Sequence, residues 1–314
     1  MRKIECFKIR ILENETKHFF GFDFSKPIKD ILYNQFSLSL NPVTIVADPF
    51  LFVYNDILFL FYEMKRNYSP GIICMTSTSD LVRWTQPHIV LEENFHLSYP
   101  FVFEDNGSVY MVPETSEIGD IRLYKADNNC LKHFSYYKTI VKKEVIDSEI
   151  GYADSSIYNK EGIYYLITSI ERNRNNILYL YYSDCLSGPY KEHPSSPICL
   201  SSKYGRNGGS FINDESGNLY RVAQDCEKRY GDNLHIFQID KLSSYEYKEH
   251  LIKSYLIPLD IPFYSEGGHQ LSLVFFKNRM IIATDAKEYH SYTFIRLLHK
   301  LRLILNSYIG RLSI

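Results

Sequence analysis

The sequence lacks the patterns that mark a zinc protein, a membrane-spanning protein or a protein that binds nucleic acid through its overall charge. Its six cysteines form no CxxC pair, and its histidines form no cluster with zinc-ligand spacing. No run approaches the roughly eighteen apolar residues that a membrane-spanning helix needs. The formal net charge of the 314 residues is -2, so a charged partner has to be bound by a local patch.

A secretory signal is also missing from the N-terminal sequence. The residues MRKIECFKIRILENE alternate polar and apolar side chains, with neither a long apolar core nor a small-residue cleavage site. Scattered single cysteines suit a reducing compartment. We therefore expect a cytoplasmic protein with no nucleic-acid partner.

Aromatic residues are abundant, with 27 Tyr and 20 Phe, and such residues favour strands. A hairpin pattern recurs five times as an alternating apolar run, a polar turn and a second alternating run. The repeats begin near residues 48, 99, 154, 209 and 269, and they read DPFLFVYNDILFLFYE, YPFVFEDNGSVYMVPE, DSSIYNKEGIYYLITS, GSFINDESGNLYRVAQD and HQLSLVFFKNRMIIATD. Further strand-like pieces follow each hairpin, which gives about four short strands per repeat.

This period predicts an all-β fold, a five-bladed β-propeller over residues 1–290, because radial stacking buries the faces of sheets that cannot be buried alone. The alternative is a β-sandwich whose hairpins look alike. The N-terminal segment KIECFKIRIL is predicted to close the last blade as a strand. The segment FSKPIKDILYNQF is predicted to form a short helix, with Ser25 as its cap.

Residues 291–314 have a different pattern, with apolar residues at helical spacing and a cluster of Arg, Lys and His around them. This pattern predicts a basic amphipathic C-terminal helix. Such a helix can lie in a membrane interface, pack on the side of the propeller or contact a partner. Membrane contact would place the protein on the inner face of the membrane.

Polar residues at the starts of the innermost strands are the candidate site, because those strands converge on one mouth of the channel. The candidates are Asp48, Tyr99, Glu114, Asp154, Arg206, Arg221, Gln224, Asp225, Glu266 and His269. Buried charges without partners are costly, so these groups should face water, a ligand or one another. The alternative is that each one caps a turn or pairs with a neighbour. No DxD run or metal-ligand spacing is present, and the dependence on a divalent metal stays open.

Several motifs resemble known propeller families. ADPF, SDLVRW and SGPY resemble the five-bladed glycosidases of the arabinanase, xylosidase and levansucrase type. Three longer segments resemble the N-terminal domain of the glucosamine inositolphosphorylceramide transferase family and its bacterial relatives. These segments are LSYPFVFEDNGSVYMVPETSEIGDIRLYKA at 97–126, YRVAQDCEKRYGDNLHIFQI at 220–239 and EGGHQLS at 266–272.

The resemblance implies a glycosyltransferase that uses an activated, nucleotide-sugar donor and a surface glycan or glycolipid acceptor. In this interpretation Asp48 is the catalytic carboxylate, and Asp154 and Asp225 support it. Arg206 and Arg221 hold the leaving diphosphate. The sugar pocket is shaped by Tyr99, Glu114, Gln224, Glu266 and His269.

Two alternatives remain open at this point, a glycoside hydrolase or phosphorylase of the same fold and a non-catalytic glycan-binding propeller. A hydrolase needs a protonated carboxyl partner for its catalytic carboxylate. The fourth repeat begins with Asn207, Gly208 and Gly209 and offers no such carboxyl group, although Glu266 of the fifth could replace it. This absence favours the transferase.

Overall fold

The computed structural model describes residues 3–14, 20–33, 41–142, 151–172 and 175–290. In these ranges the chain forms five antiparallel sheets, and its only helical turn is the three-residue 3-10 turn Pro262–Tyr264. The all-β, five-bladed propeller is therefore confirmed. The predicted C-terminal helix, at 291–314, lies outside the described residues. Among the described residues, none belongs to a helix long and apolar enough to cross a membrane.

Within the described ranges, twenty-two strands build the sheets. The first two are β1 (Ile4–Asn14) and β2 (Pro27–Ile31). The first sheet contains β3 (Val43–Tyr54), β4 (Ile57–Arg66), β5 (Gly71–Thr78) and β6 (His88–Leu91). The second contains β7 (Ser98–Asp105), β8 (Ser108–Glu114), β9 (Ile121–Ala126) and β10 (Phe134–Val141).

The third sheet contains β11 (Ala153–Lys160), β12 (Ile163–Arg172), β13 (Asn175–Ser183), β14 (Lys191–Glu192) and β15 (Cys199–Leu200). The fourth contains β16 (Arg206–Asn207), β17 (Ile212–Asn213), β18 (Leu219–Asp225), β19 (Asn233–Leu242) and β20 (Tyr247–Lys253). The fifth has the order β2-β1-β22-β21, with β21 (Leu271–Phe276) and β22 (Arg279–His290). The innermost strands are β3, β7, β11, β16 with β17, and β21.

The fifth sheet joins the first and last described strands. β1 pairs with β22 along all 11 of its residues, from Ile4 opposite His290 to Asn14 opposite Met280. This pairing closes the ring and leaves no long unpaired edge at the junction. The helix expected around Pro27 is wrong, because residues 27–31 form β2 on the outer edge of this sheet. Arg10 of β1 and Asp30 of β2 face each other there, with an Nη2–Oδ2 distance of 2.8 Å.

Three innermost strands carry the same backbone irregularity at the same place in the repeat. Asp48, Tyr99 and Asp154 have φ angles of +52°, +45° and +53°, and the pairing register shifts at each of them. A residue in the left-handed region with a register shift bends the strand and re-aims its side chain. Carboxylates accept hydrogen bonds from the backbone amides at two of these bends. The Tyr99 amide donates to Asp48 Oδ2 at 2.9 Å, and the Asp48 amide donates to Asp285 Oδ2 at 3.1 Å.

The innermost strand of the fourth sheet is interrupted by Gly208 and Gly209. A Cβ on Gly209 would lie 2.2 Å from the carbonyl oxygen of Leu271 in the fifth sheet. The Leu271 amide donates to the Gly208 carbonyl at 2.7 Å. The two glycines therefore allow the fourth and fifth sheets to approach at the axis, where any side chain at 209 would collide with backbone.

The core consists of apolar faces buried between neighbouring sheets, and a tyrosine fills the axis. Tyr99 is 1% exposed, and its ring packs edge-on against Phe50 with a centroid distance of 4.8 Å. Its hydroxyl donates to the Gly209 carbonyl at 2.7 Å and lies 3.1 Å from Ser156 Oγ. Tyr99 thus links the second, third and fourth sheets across the channel.

Candidate active site

A cavity of about 160 Å³ lies at the end of the channel where the bent strands begin. Side chains from all five sheets surround it: Glu5, Phe7, Ile45, Ala47, Asp48, Glu63, Lys65, His96, Ser98, Glu114, Asp154, Arg206, Tyr230 and His269. Five of the predicted site residues are among them, namely Asp48, Glu114, Asp154, Arg206 and His269. Tyr99 is buried beside the cavity and orients Asp48 through its amide.

His269 lies between two carboxyl groups. Its Nδ1 is 2.7 Å from Asp285 Oδ2, and its Nε2 is 3.2 Å from Asp48 Oδ1. Burial acts to lower the pKa of His269, but the charges of Asp285 and Asp48 raise it well above its usual value. Burial acts to raise the pKa of Asp48, but His269 brings it below its usual value. An imidazolium therefore holds Asp48 in its ionised form.

Asp48, His269 and Asp285 also bring ligand-type atoms within 4.8 Å of one another, which is close enough to consider a metal ion. A metal ligand has to be neutral imidazole, because the imidazolium offers no lone pair. Both nitrogens of His269 already face carboxylate oxygens, and the pKa of its ring is raised. The three side chains therefore fit an imidazolium between two carboxylates better than a metal centre, with Nδ1 close to Asp285 but outside hydrogen-bond geometry.

Arg206 joins the third and fourth sheets at the cavity wall. Its Nε donates to Asp154 Oδ2 at 2.6 Å, and its Nη2 is 3.7 Å from Glu114 Oε2. Burial raises the pKa of Asp154 well above its usual value, because the attraction of Arg206 only partly offsets the burial and the neighbouring carboxylates. The guanidinium is thus directed at carboxyl groups of the cavity itself.

Tyr230 forms another wall, from the loop between β18 and β19. Its ring centroid lies 5.1 Å from the guanidinium carbon of Arg206 and 5.1 Å from the ring of His269. The amine of the buried Lys287 donates to the Tyr230 carbonyl. Arg229 of the same loop pairs with Glu266 at 2.6 Å. The predicted residue Glu266 therefore ties this loop to the segment that precedes β21, outside the cavity lining.

Three further predicted residues, Arg221, Gln224 and Asp225, do not line the cavity. The Arg221 guanidinium extends to the outermost strand β20, where Nε and Nη2 donate to Glu249 at 2.8 and 2.5 Å. Asp225 lies 3.1 Å from His235 Nε2, inside the fourth sheet. Gln224 is buried and accepts from the Cys226 thiol at 2.9 Å. All three side chains contact partners in or next to the fourth sheet, so they do not converge with Asp48.

The cavity also contains residues that the sequence did not single out, above all Glu63 and His96. Glu63 lies opposite Ala47 in the β3–β4 pairing, and Glu114 lies opposite Ser98 in β7–β8. The two glutamates thus occupy matching positions in the second strands of equivalent hairpins. This shared position in the repeat is the sequence signal that could have identified Glu63. His96, Lys65 and Tyr230 carry no comparable signal, because loops and side-chain direction bring them to the cavity.

Comparison with known proteins assigns the family. A sequence profile described as "Glucosamine inositolphosphorylceramide transferase 1, N-terminal" matches residues 25–258. The chain is 37% identical over 238 residues to glucosamine inositolphosphorylceramide transferase 1 of Arabidopsis thaliana, covering 73% of this chain and 29% of that protein. It is 38% identical over 218 residues to the protein of that name from Oryza sativa subsp. japonica, covering 66% of this chain and 28% of the relative. The chain thus spans less than a third of these curated relatives.

Solved structures show the same fold at low sequence identity. Zg3597, a family 117 glycoside hydrolase from Zobellia galactanivorans, aligns with a TM-score of 0.56 and 13% identity, covering 89% of this chain and 90% of that one. An α-L-arabinofuranosidase from Clostridium thermocellum aligns with a TM-score of 0.53 and 16% identity, covering 83% and 86%. These likenesses concern the propeller alone. Because the family profile matches well over half of its residues, the chain belongs to the glucosamine inositolphosphorylceramide transferase 1 N-terminal family.

Proposed function

We propose that this chain is an enzyme that transfers a glycosyl group to a hydroxyl of a glycolipid acceptor, with the sugar bound in the axial cavity. Asp48 acts as the base that accepts the proton of the attacking hydroxyl. Asp154 and Glu114 line the same cavity, where carboxyl oxygens can bind sugar hydroxyls. Phe7 and Tyr230 contribute aromatic rings to its lining.

One observation carries this proposal, the buried Asp48 carboxyl group held between His269 and the Tyr99 amide at the channel mouth. The carboxylate is 5% exposed, and an unpaired charge so deeply buried would ordinarily be neutralised. His269 and the amide of Tyr99 keep it charged. A buried carboxylate that is held in its charged form beside an open cavity is the arrangement a general base requires.

The size of the cavity supports a single sugar as the bound group. Pockets for drug-sized ligands have volumes of about 300–1,000 Å³. The cavity measures about 160 Å³, so it suits one ring better than an extended chain. The rest of the donor and the acceptor would then lie outside, above the mouth.

The acceptor class rests on the relatives. Their names describe transfer involving inositolphosphorylceramide, and the chain covers 29% and 28% of those proteins. A glycolipid acceptor, membrane contact through residues 291–314 and a place on the inner face of the membrane are accordingly proposals for this chain.

The predicted nucleotide-sugar donor remains a prediction. Arg206 and Arg221 were the cations expected to hold its diphosphate, but Arg221 lies outside the cavity and Arg206 is paired with Asp154. Lys65 lines the cavity and is the remaining lysine or arginine of that lining. A diphosphate would therefore depend on Lys65 or on groups above the mouth.

A second candidate function, hydrolysis of a glycoside, is favoured by Glu63. The sequence argument against hydrolysis was the missing carboxyl partner in the fourth repeat. Glu63 supplies a carboxyl group in the same cavity as Asp48, from the first sheet instead. Hydrolysis differs from transfer only in using water in place of the acceptor hydroxyl.

The test combines a donor panel with an acceptor. The protein is incubated with nucleotide sugars or aryl glycosides and with vesicles that contain an inositol phospholipid, and the products are identified by mass spectrometry. We expect a glycosylated lipid, and we expect Asp48→Asn to reduce its formation by about 10²–10⁴-fold without loss of folding.

Asp56→Asn is the matched control, because Asp56 is exposed in the β3–β4 turn. Free sugar from an aryl glycoside without acceptor would establish the second candidate in place of the first. Saturable glycan binding with no product from any donor would refute both.

A further inference from the structure

Glu63 is a buried carboxyl group that lines the cavity. Its side chain is 7% exposed, and Oε1 has no hydrogen-bond partner among the described residues. It lies opposite Ala47, next to the base Asp48, in the register of β3 and β4. A buried oxygen of this kind at a cavity wall is available to a ligand.

His96 is the neighbour of Glu63 whose tautomer is set by a hydrogen bond. The backbone amide of Gly71 donates to His96 Nδ1 at 2.8 Å. A neutral imidazole that accepts at Nδ1 carries its proton on Nε2. That nitrogen is 3.5 Å from Glu63 Oε1. The His96 amide also donates to Glu117 Oε2 at 2.7 Å, which holds the segment in place.

Gly71 makes this arrangement possible. A Cβ at position 71 would lie 2.7 Å from His96 Cε1, 2.8 Å from Glu63 Oε1 and 2.4 Å from the Leu97 carbonyl oxygen. The amide can reach His96 because no side chain stands between them. Gly71, His96 and Glu63 therefore form one packed unit beside the cavity.

The surroundings shift the pKa values of Glu63 and Asp48 in opposite directions. Burial, followed by the charge of Asp48, raises the pKa of Glu63 well above its usual value. Burial, followed by the charge of Lys65, lowers the pKa of His96, so its ring is neutral. The charged or titratable groups that act on Glu63 from the surrounding strands and loops are Asp48, Lys65, His96, Glu114 and His269.

We propose that Glu63 is the proton donor of the site, that His96 is its positioning residue, and that the donor substrate is consequently a glycoside whose leaving oxygen is that of an alcohol or sugar. This inference rests on the proposed function and names its substrate class. An alcohol oxygen leaves readily only when it gains a proton, whereas a nucleotide diphosphate does not need one.

The bond between the anomeric carbon and the leaving oxygen breaks, its electron pair goes to that oxygen, and the Glu63 proton joins it. The acceptor oxygen forms the new bond to the anomeric carbon, and its proton goes to Asp48. One proton has then moved from Glu63 to the leaving group and one from the acceptor to Asp48. Return of the Asp48 proton through solvent to Glu63 restores the site.

The first measurement does not depend on activity. In protein with ¹³C-labelled glutamate carboxyls, the resonance that Glu63→Gln removes should have the chemical shift of a neutral carboxyl at about pH 7. A carboxylate shift there would overturn the proposal even if glycosyl transfer is found. A neutral carboxyl with no turnover of any donor would instead refute the proposed function, and with it the role of Glu63 in catalysis.

The second measurement uses two aryl glycosides of the same sugar, one with a poor and one with a good leaving group. Glu63→Gln should lower turnover of the poor donor by about 10²–10⁴-fold and that of the good donor much less. Equal losses with both donors, or no loss with either, would overturn proton donation.

The role of His96 is tested by its pH profile. His96→Leu removes the polar Nε2–H group that lies 3.5 Å from Glu63 Oε1, so it should raise the pKa of Glu63 further and shift the alkaline limb of kcat/KM to higher pH. His96→Gln keeps a polar N–H group and should return the alkaline limb of kcat/KM to its wild-type pH. His133→Leu is the control, because His133 is 66% exposed and pairs with Asp127 outside the cavity. An unchanged limb in His96→Leu would refute positioning.

Discussion

Replacing Arg221 with methionine tests whether this arginine stabilises the fourth sheet or serves the cavity. The side chain is 0% exposed and makes two hydrogen bonds to Glu249 and one, at 3.1 Å, to the Tyr204 carbonyl. Its guanidinium carbon lies 4.6 Å from the centre of the Phe237 ring. Methionine keeps the apolar contact but leaves the Glu249 carboxylate without its cation, with the Tyr247 hydroxyl still donating to it.

Breaking a buried ion pair by removing one partner costs about 3–5 kcal/mol, mostly because the other charge stays buried. For a domain of this size, with an unfolding entropy of about 2.1 cal/mol/K per residue, that loss lowers the melting temperature by about 5–8 °C. The measurement is urea and thermal unfolding followed by circular dichroism. Donor and acceptor KM values should stay within about twofold of wild type, because Arg221 does not line the cavity.

Two further variants make the result specific. Arg83→Met removes an exposed pair with Asp80 and should leave stability nearly unchanged. Arg221→Met combined with Glu249→Leu removes both charges and should recover most of the loss. A single variant of normal stability, or one with a large rise in KM for the donor, would refute the structural role and return Arg221 to the site.

Two other predictions follow from the axis of the ring. Tyr99→Phe removes a hydroxyl that donates to Gly209, so the free energy of unfolding in urea should fall by about 1–3 kcal/mol; a neutral substitution would show that the axial bond does not matter. The pKa of His269 is raised on folding, so its contribution to stability is complete below the unfolded value of about 6.5 and disappears as pH rises through the folded value. His269→Gln should therefore be less stable than wild type at neutral pH, and the difference should shrink at alkaline pH; a difference constant with pH would contradict this charge.

The repeat made much of the architecture predictable. Asp48, Tyr99 and Asp154 begin equivalent strands, and equivalent strands of a ring start at the same mouth. Their convergence with His269 follows from that symmetry alone. The closing strand could also be predicted from the sequence, because KIECFKIRIL alternates and precedes the first complete repeat.

Other parts of the site depend on information that a single sequence does not contain. Arg221 and Asp48 both look like charged residues near strand ends, yet only Asp48 turns towards the axis, because its strand bends at positive φ. The position of Glu63 near the cavity could have been predicted, because the second strand of a hairpin returns to the end where the first strand began. His96 and Tyr230 reach the cavity through loops that are held by contacts distant in sequence, namely Gly71 and Lys287.

The shared fifth sheet affects how such a chain folds during synthesis. β1 leaves the ribosome early, but its partner β22 is made only after residue 279. At roughly 5–20 residues per second, this delay amounts to tens of seconds. Throughout that time an 11-residue strand offers unpaired backbone groups to any other nascent chain. A circular permutant that begins at β3 and carries β1 and β2 behind β22 should therefore aggregate less during translation than the natural order.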